Sequence, residues 1–220
     1  FAGKGAERNN ILIDIFLETE KERRLFYQLN KFEPVAYKSR IDKILEVKLQ
    51  TYSHYIENHP KETESYLKIL KIALTYPIYS RIERYPVNHI YASRKIKFPE
   101  TDASFYNYRA DLDYNNNALM YYTPYARYIT NYLYNVTYNM GHQPMKDEFS
   151  ADFTVDLLKT INDKISSSDS KNAFLKRTVL DHFYRKSSCK VNQIAFDTYF
   201  NLSTNELDKN LVQNLLSYFS

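Results

Sequence analysis

Cysteine is nearly absent from this 220-residue chain, which carries only Cys189. A lone thiol excludes an internal disulfide, a Cys-x-x-Cys redox pair and a zinc site built from thiolates. Glycine and proline are scarce, with three and seven copies, and tryptophan is missing. All-β folds need many Gly- and Pro-rich turns, so this scarcity points to long helices. No apolar run approaches the roughly 20 residues of a membrane span, so the chain is expected to be soluble. It opens on Phe rather than Met and lacks the charged-then-apolar order of a signal peptide, which marks it as a processed product or an excised piece.

What is present describes a globular protein. Hydrophobic residues make up 44% and charged residues 25%, enough apolar side chains for a core and too many for a disordered segment. The 30 basic and 26 acidic residues are well mixed, and a net charge of +4 creates no strong field for polyanions, so nucleic acid is not an expected partner. Tyrosine is abundant, at 22 copies, alongside much Asn, Lys and Ile. An AT-rich coding sequence accounts for that set together. The alternative is a tyrosine-rich binding interface.

Apolar spacing gives the organisation. Leu12, Ile15, Phe16, Phe26 and Leu29 trace one face of a helix running to about Asn30. Glu33-Pro34 restarts the chain, and Ile41, Ile44, Leu45, Leu49, Tyr52 and Ile56 continue a second helix that stops near His59-Pro60. A third starts near Thr63, and Pro77 within it should kink or end it, with one or two short helices following around Pro86. Between Arg94 and Asn117 the helical period is lost. Thr123-Pro124 then opens a helix to about Met140-Gly141, and further helices are predicted at 149–165, 171–186 and 191–202. Ser203-x-x-Glu206 reads as a capping box for a final helix with Leu207, Leu211, Leu215 and Phe219 on its face. The expected fold is all-α, an irregular antiparallel helix bundle or helix-hairpin array of about eight helices. It forms one helical domain over 1–220, with sub-bundles at about 1–93 and 118–220 joined by the connector 94–117.

Candidate chemistry is sparse. Cys189 follows two serines at a predicted helix start, where a helix dipole could stabilise a thiolate, although a lone cysteine is more commonly a small buried hydrophobe. The histidines (His54, His59, His89, His142 and His182) have no metal-binding spacing. Asp111 and Asp113 could begin a calcium loop, but the downstream Gly and Glu are missing, and Asp and Asn are common turn formers. No phosphate-binding or nucleophile-elbow motif occurs. Arg23-Arg24 and Arg94-Lys95-x-Lys97 are the densest basic spots, short enough to be solvated faces. Asn135-Val-Thr137 and Asn201-Leu-Ser203 match the glycosylation pattern by chance inside or at the end of helices. No cofactor and no metal are expected.

Two stretches, "GKGAERNNILIDIF" and "KIKFPETDASFYNYRADLDYNNNALMYYTPYARYITNYL", are similar to the helical segment that precedes the thioredoxin domain in TlpA/ResA-like thiol-disulfide oxidoreductases of Bacteroidetes. The matching elements are Gly5 with Asn9, Phe98-Pro99, Asp111-Leu112-Asp113 and Tyr125 to Leu133. The Trp-Cys-x-x-Cys site of that family is absent, so no catalytic residue carries over. The resemblance implies a periplasmic or cell-envelope setting, a possible lipid anchor upstream, and a non-catalytic helical scaffold or interaction domain that positions its own thioredoxin domain or presents a client protein. On that reading Phe105, Tyr106, Tyr108 and Tyr114 in the connector are the candidate contact residues. The other expectation, of a different class, is a free-standing helical-repeat module binding peptides or glycans.

Overall fold

A computed structural model describes residues 2–3, 5–144, 146–185 and 193–219. Among these residues the chain is helical, without strands: α1 (Ala6–Lys21), α2 (Arg23–Leu29), α3 (Pro34–Asn58), α4 (Glu64–Ser93), α5 (Thr123–Tyr138), α6 (Ala151–Lys164), α7 (Ser168–Arg185), α8 (Gln193–Leu202) and α9 (Glu206–Phe219), with 3-10 helices at Ala103–Asp111 and Asn117–Leu119. The helices divide between two compact units. One comprises Phe1–Leu112 and Tyr121–Asn131, the other Asp113–Met120 and Tyr132–Ser220. The stretch expected to be a connector is thus divided between them, and α5 contributes its first half to one unit and its second half to the other.

In the first unit, Glu33 in extended conformation caps α3, with Pro34 at the first helical position where a missing N–H costs nothing. Thr63 Oγ1 accepts from the Tyr66 N–H to open α4. The helix expected to run to Asn30 is interrupted only at Glu22, whose backbone stays right-handed helical (φ −67°, ψ −12°). The larger departure is α4, which passes through Pro77 and Pro86 unbroken over 30 residues. Each interior proline costs about 3 kcal/mol. Fully burying a large apolar side chain returns about 1.5–3 kcal/mol, and α4 buries Leu70, Leu74, Ile78, Ile82 and Tyr85 almost completely. Between the prolines, the carbonyls of Tyr79, Ser80 and Arg81 also accept bonds from Tyr108, Asn131 and Tyr37 side chains at 3.5, 3.4 and 3.2 Å. Tertiary packing therefore overrides the local signal.

The helix directions follow from the hydrogen bonds that join them. Lys48 of α3 reaches Glu18 and Glu22 at 2.7 and 2.9 Å, and His59 just beyond α3 meets Glu7, so α3 runs antiparallel to α1 and α2. Tyr66 donates to Arg8 O, Arg81 to Thr19 O, and His89 Nδ1 to Asn30 O (3.0, 3.2 and 2.8 Å). Both sequences rise together, so α1 and α2 run parallel to α4. Tyrosine is the characteristic core residue here. Tyr37 stacks on Tyr85 with ring centroids 4.0 Å apart, and the buried hydroxyls find backbone acceptors, Tyr37 at Arg81 O and Tyr85 at Phe32 O.

In the second unit, α6, α7 and α8 enclose Phe153, Leu158, Ile161, Leu175, Val179, Phe196 and Tyr199. Ser150 Oγ caps α6 by accepting from Phe153 N–H at 3.0 Å. The expected capping box at α9 is shifted: Asn205 Oδ1 accepts from Asp208 N–H at 3.1 Å, while Ser203 is buried and donates to Asn172 Oδ1. Asn172 ties α7 to the α8–α9 turn through both ends of its amide, which is why Ser203 is not available as the cap.

Candidate functional site

Phe105, Tyr106 and Tyr108 lie in the first unit and Tyr114 in the second. Asp102 Oδ1 accepts from Ser104 N–H at 2.7 Å and starts the 3-10 helix Ala103–Asp111, which folds this stretch back onto α4. Phe105, 3% exposed, enters the core beside Tyr37 and Tyr85. Tyr106 lies edge-on to Phe105 under the Arg109 guanidinium. Tyr108 stacks on Tyr79 at 4.4 Å and donates to Glu83 Oε1 at 2.8 Å, and burial pushes its hydroxyl well above the usual tyrosine range. Tyr114 packs on Tyr132. Phe105 is thus a core residue, while Tyr106, Tyr108 and Tyr114 are half-buried beside it or on Tyr132, and Glu83 is fully buried and held by Arg109 and Tyr108.

Among the described residues no group of three or more His, Cys, Asp or Glu side chains is arranged to hold a metal ion, and no helix is long and apolar enough to cross a membrane. Cys189 lies outside the described residues.

The first unit contains a cleft of about 1310 Å3. Its floor is a stripe of α4 at helical spacing, Ala73, Pro77, Ser80, Arg81, Arg84, Asn88 and Tyr91. The side chains of α1 and α2 from Leu12 to Asn30 form one wall, and Tyr122 to Asn131 form another. Five arginines line it: Arg23 and Arg24 from α2, Arg81 and Arg84 from α4, and Arg127 from α5. None has a carboxylate within ion-pair distance among the described residues. Glu20 is in the lining but pairs with none of them, and Glu18 and Glu22 are both engaged by Lys48, which is 3% exposed.

Arg81 defines the electrostatics. Its guanidinium lies 3.4 Å from the Phe26 ring centroid and donates to Thr19 O at 3.2 Å. Burial, reinforced by the Arg127 charge, pulls its pKa down to about 10 in spite of Glu22, Tyr37 and Glu20 nearby. It remains a cation at neutral pH, partly removed from water and with no carboxylate in ion-pair contact, Glu22 and Glu20 acting only from a distance. Such a charge is costly until an anion meets it.

Arg23-Arg24 is visible in the sequence as a short basic spot, but Arg81, Arg84 and Arg127 are not. Arg81 and Arg84 share one face of α4 three residues apart, and the packing of α1, α2 and the first half of α5 against α4 brings Arg23, Arg24 and Arg127 to them. The available signal was a polar stripe, Ser80, Arg81, Arg84 and Asn88, along one face of the second half of a helix whose other residues there are mainly apolar.

Comparison with protein families, with characterised proteins and with solved structures finds no match to this chain.

Proposed function

We propose that this chain is a non-catalytic helical binding module that holds an anionic partner in the cleft of its first unit. The observation that carries this is Arg81, a desolvated guanidinium with no carboxylate partner, in one lining with Arg23, Arg24, Arg84 and Arg127. Guanidinium forks match carboxylate and phosphate oxygens in pairs, and such charge-assisted bonds are roughly twice as strong as neutral ones. Recognition of charge is the chemistry these groups supply. The likeness to the helical segment of TlpA/ResA-like oxidoreductases supports a role of the same class. In that setting, at the cell envelope, the partner is a client protein or the thioredoxin domain of the same protein, and the redox chemistry belongs to that partner.

The test is thermal unfolding of the chain with pyrophosphate or citrate against sodium chloride at matched ionic strength. Ligand that binds only the folded state raises Tm in a saturable way. Wild type should show that rise, and an R84Q/R127Q variant, altered at two exposed positions, should lose it. Equal responses to pyrophosphate and chloride, or an unchanged response in the variant, overturn the proposal.

A further inference from the structure

We infer that the occupant of the cleft is an extended peptide segment of a partner protein, acidic in its middle and carrying aromatic or aliphatic side chains towards its ends. This rests on the anion-binding reading above and narrows it. The first argument is length. The floor runs along α4 from Ala73 to Ala92, about 28 Å at 1.5 Å per residue, which matches about eight residues of extended chain at roughly 3.3 Å each. The volume of about 1310 Å3 also exceeds the roughly 300–1,000 Å3 of sites that enclose one small molecule.

The second argument is the order of chemistry along the floor. Ala73 and Pro77 open it, Arg81 and Arg84 occupy the middle, and Tyr91 and Ala92 close it. Side chains from α1 and α2 keep the same order because these helices run parallel to α4: Leu12, Ile15 and Phe16 precede Arg23 and Arg24, and Tyr27 follows. Phe16 and Tyr27 are 63% and 62% exposed, so large aromatic surfaces stand open on this wall to either side of the charge. A small inorganic anion uses the middle of this pattern and leaves both ends unused.

The third argument separates an extended segment from a helix. An extended chain carries backbone N–H and C=O groups that need partners, whereas a helix satisfies its own. Gln28 and Asn88 offer side-chain amides in the lining that have no hydrogen-bond partner among the described residues. An amide provides both a donor and an acceptor, as a peptide backbone requires.

The experiment is fluorescence anisotropy of the full chain with labelled synthetic peptides of about nine residues, with glutamates at the centre and Phe or Leu near both ends, beside a matched peptide with Gln for Glu. The Glu peptide should bind saturably and be displaced by pyrophosphate. The Gln peptide should bind at least about tenfold more weakly, as should the Glu peptide to R84E/R127E, as expected when charge-assisted bonds are removed. F16A and Y91A, at exposed positions, should weaken the Glu peptide without changing the pyrophosphate response. If pyrophosphate raises Tm and no peptide binds, the peptide assignment falls while anion binding stands. If neither binds, both fall. Equal binding of the Glu and Gln peptides overturns the acidic character of the occupant.

Discussion

Replacing Arg81 by methionine should leave the fold at least as stable and abolish anion binding. The depression of the Arg81 pKa to about 10 by burial and by Arg127 disfavours its charged form by about 3 kcal/mol, at about 1.36 kcal/mol per pKa unit. Methionine keeps an unbranched apolar stem against Phe26 and removes that cost. On the other side stand the bond to Thr19 O, worth about 1–2 kcal/mol, and the contact with the Phe26 ring, worth about 1 kcal/mol. The terms nearly cancel, leaving a change of about 0 to 1 kcal/mol in favour of the variant and a Tm higher by no more than about 4 °C. A guanidinium already paired with a buried carboxylate behaves otherwise, because its removal strands the partner and costs about 3–5 kcal/mol. Urea and thermal unfolding give the stability, and calorimetric titration with pyrophosphate gives the binding. A loss of more than about 2 kcal/mol in R81M would refute the reasoning, since only a side chain satisfied in the unliganded fold is missed that much.

Phe105→Ala, which empties a position against Tyr37, Tyr85 and Tyr106, should cost about 3–5 kcal/mol and lower Tm by about 10 °C or more, while pyrophosphate binding measured below the transition is unchanged. Glu62 accepts from Arg8 and Tyr55 side chains and from the Thr63 N–H, and chiefly through Arg8 its carboxyl is held down to about 2. A carboxylate whose pKa is lower in the folded state stabilises the fold above the ordinary carboxylate value and loses that contribution as pH falls towards the folded value. Wild-type Tm should therefore drop more steeply than that of E62Q between about pH 4.5 and about pH 2, and parallel curves would contradict the assignment. At α9, Asn205→Ala should cost about 1 kcal/mol by removing the bond to Asp208 N–H. Hydrogen exchange of the first turn of α9 reads this directly.

The all-helical character was legible in the sequence, because few glycines, few prolines and apolar residues at three-and-four spacing all point the same way. So were the starts of α3 and α4, where Pro34 acts through its own ring geometry and Thr63 through a bond local to the chain. The continuity of α4 was not, since Pro77 and Pro86 are local breakers and what overrides them is burial against α3, α1 and α2 and the first half of α5. The position of the α9 cap was missed for a related reason: Ser203 is withdrawn from capping by Asn172, which is distant in sequence. The abundance of tyrosine was ambiguous on composition alone. Tyr37, Tyr66 and Tyr85 resolve part of it, as core residues whose hydroxyls end on the backbone carbonyls of Arg81, Arg8 and Phe32.

Periodicity and punctuation by themselves determined that this chain folds into helices and where most of them begin, because those are interactions between residues three or four apart. Only the tertiary structure decided that Arg23, Arg24, Arg81, Arg84 and Arg127 share one cleft and that Phe105 is core. Those facts depend on the course of α1, α2 and the first half of α5 along α4 and on the fold-back of the segment after Arg94. Both are set by which apolar faces meet, and neither is encoded in any short stretch of residues.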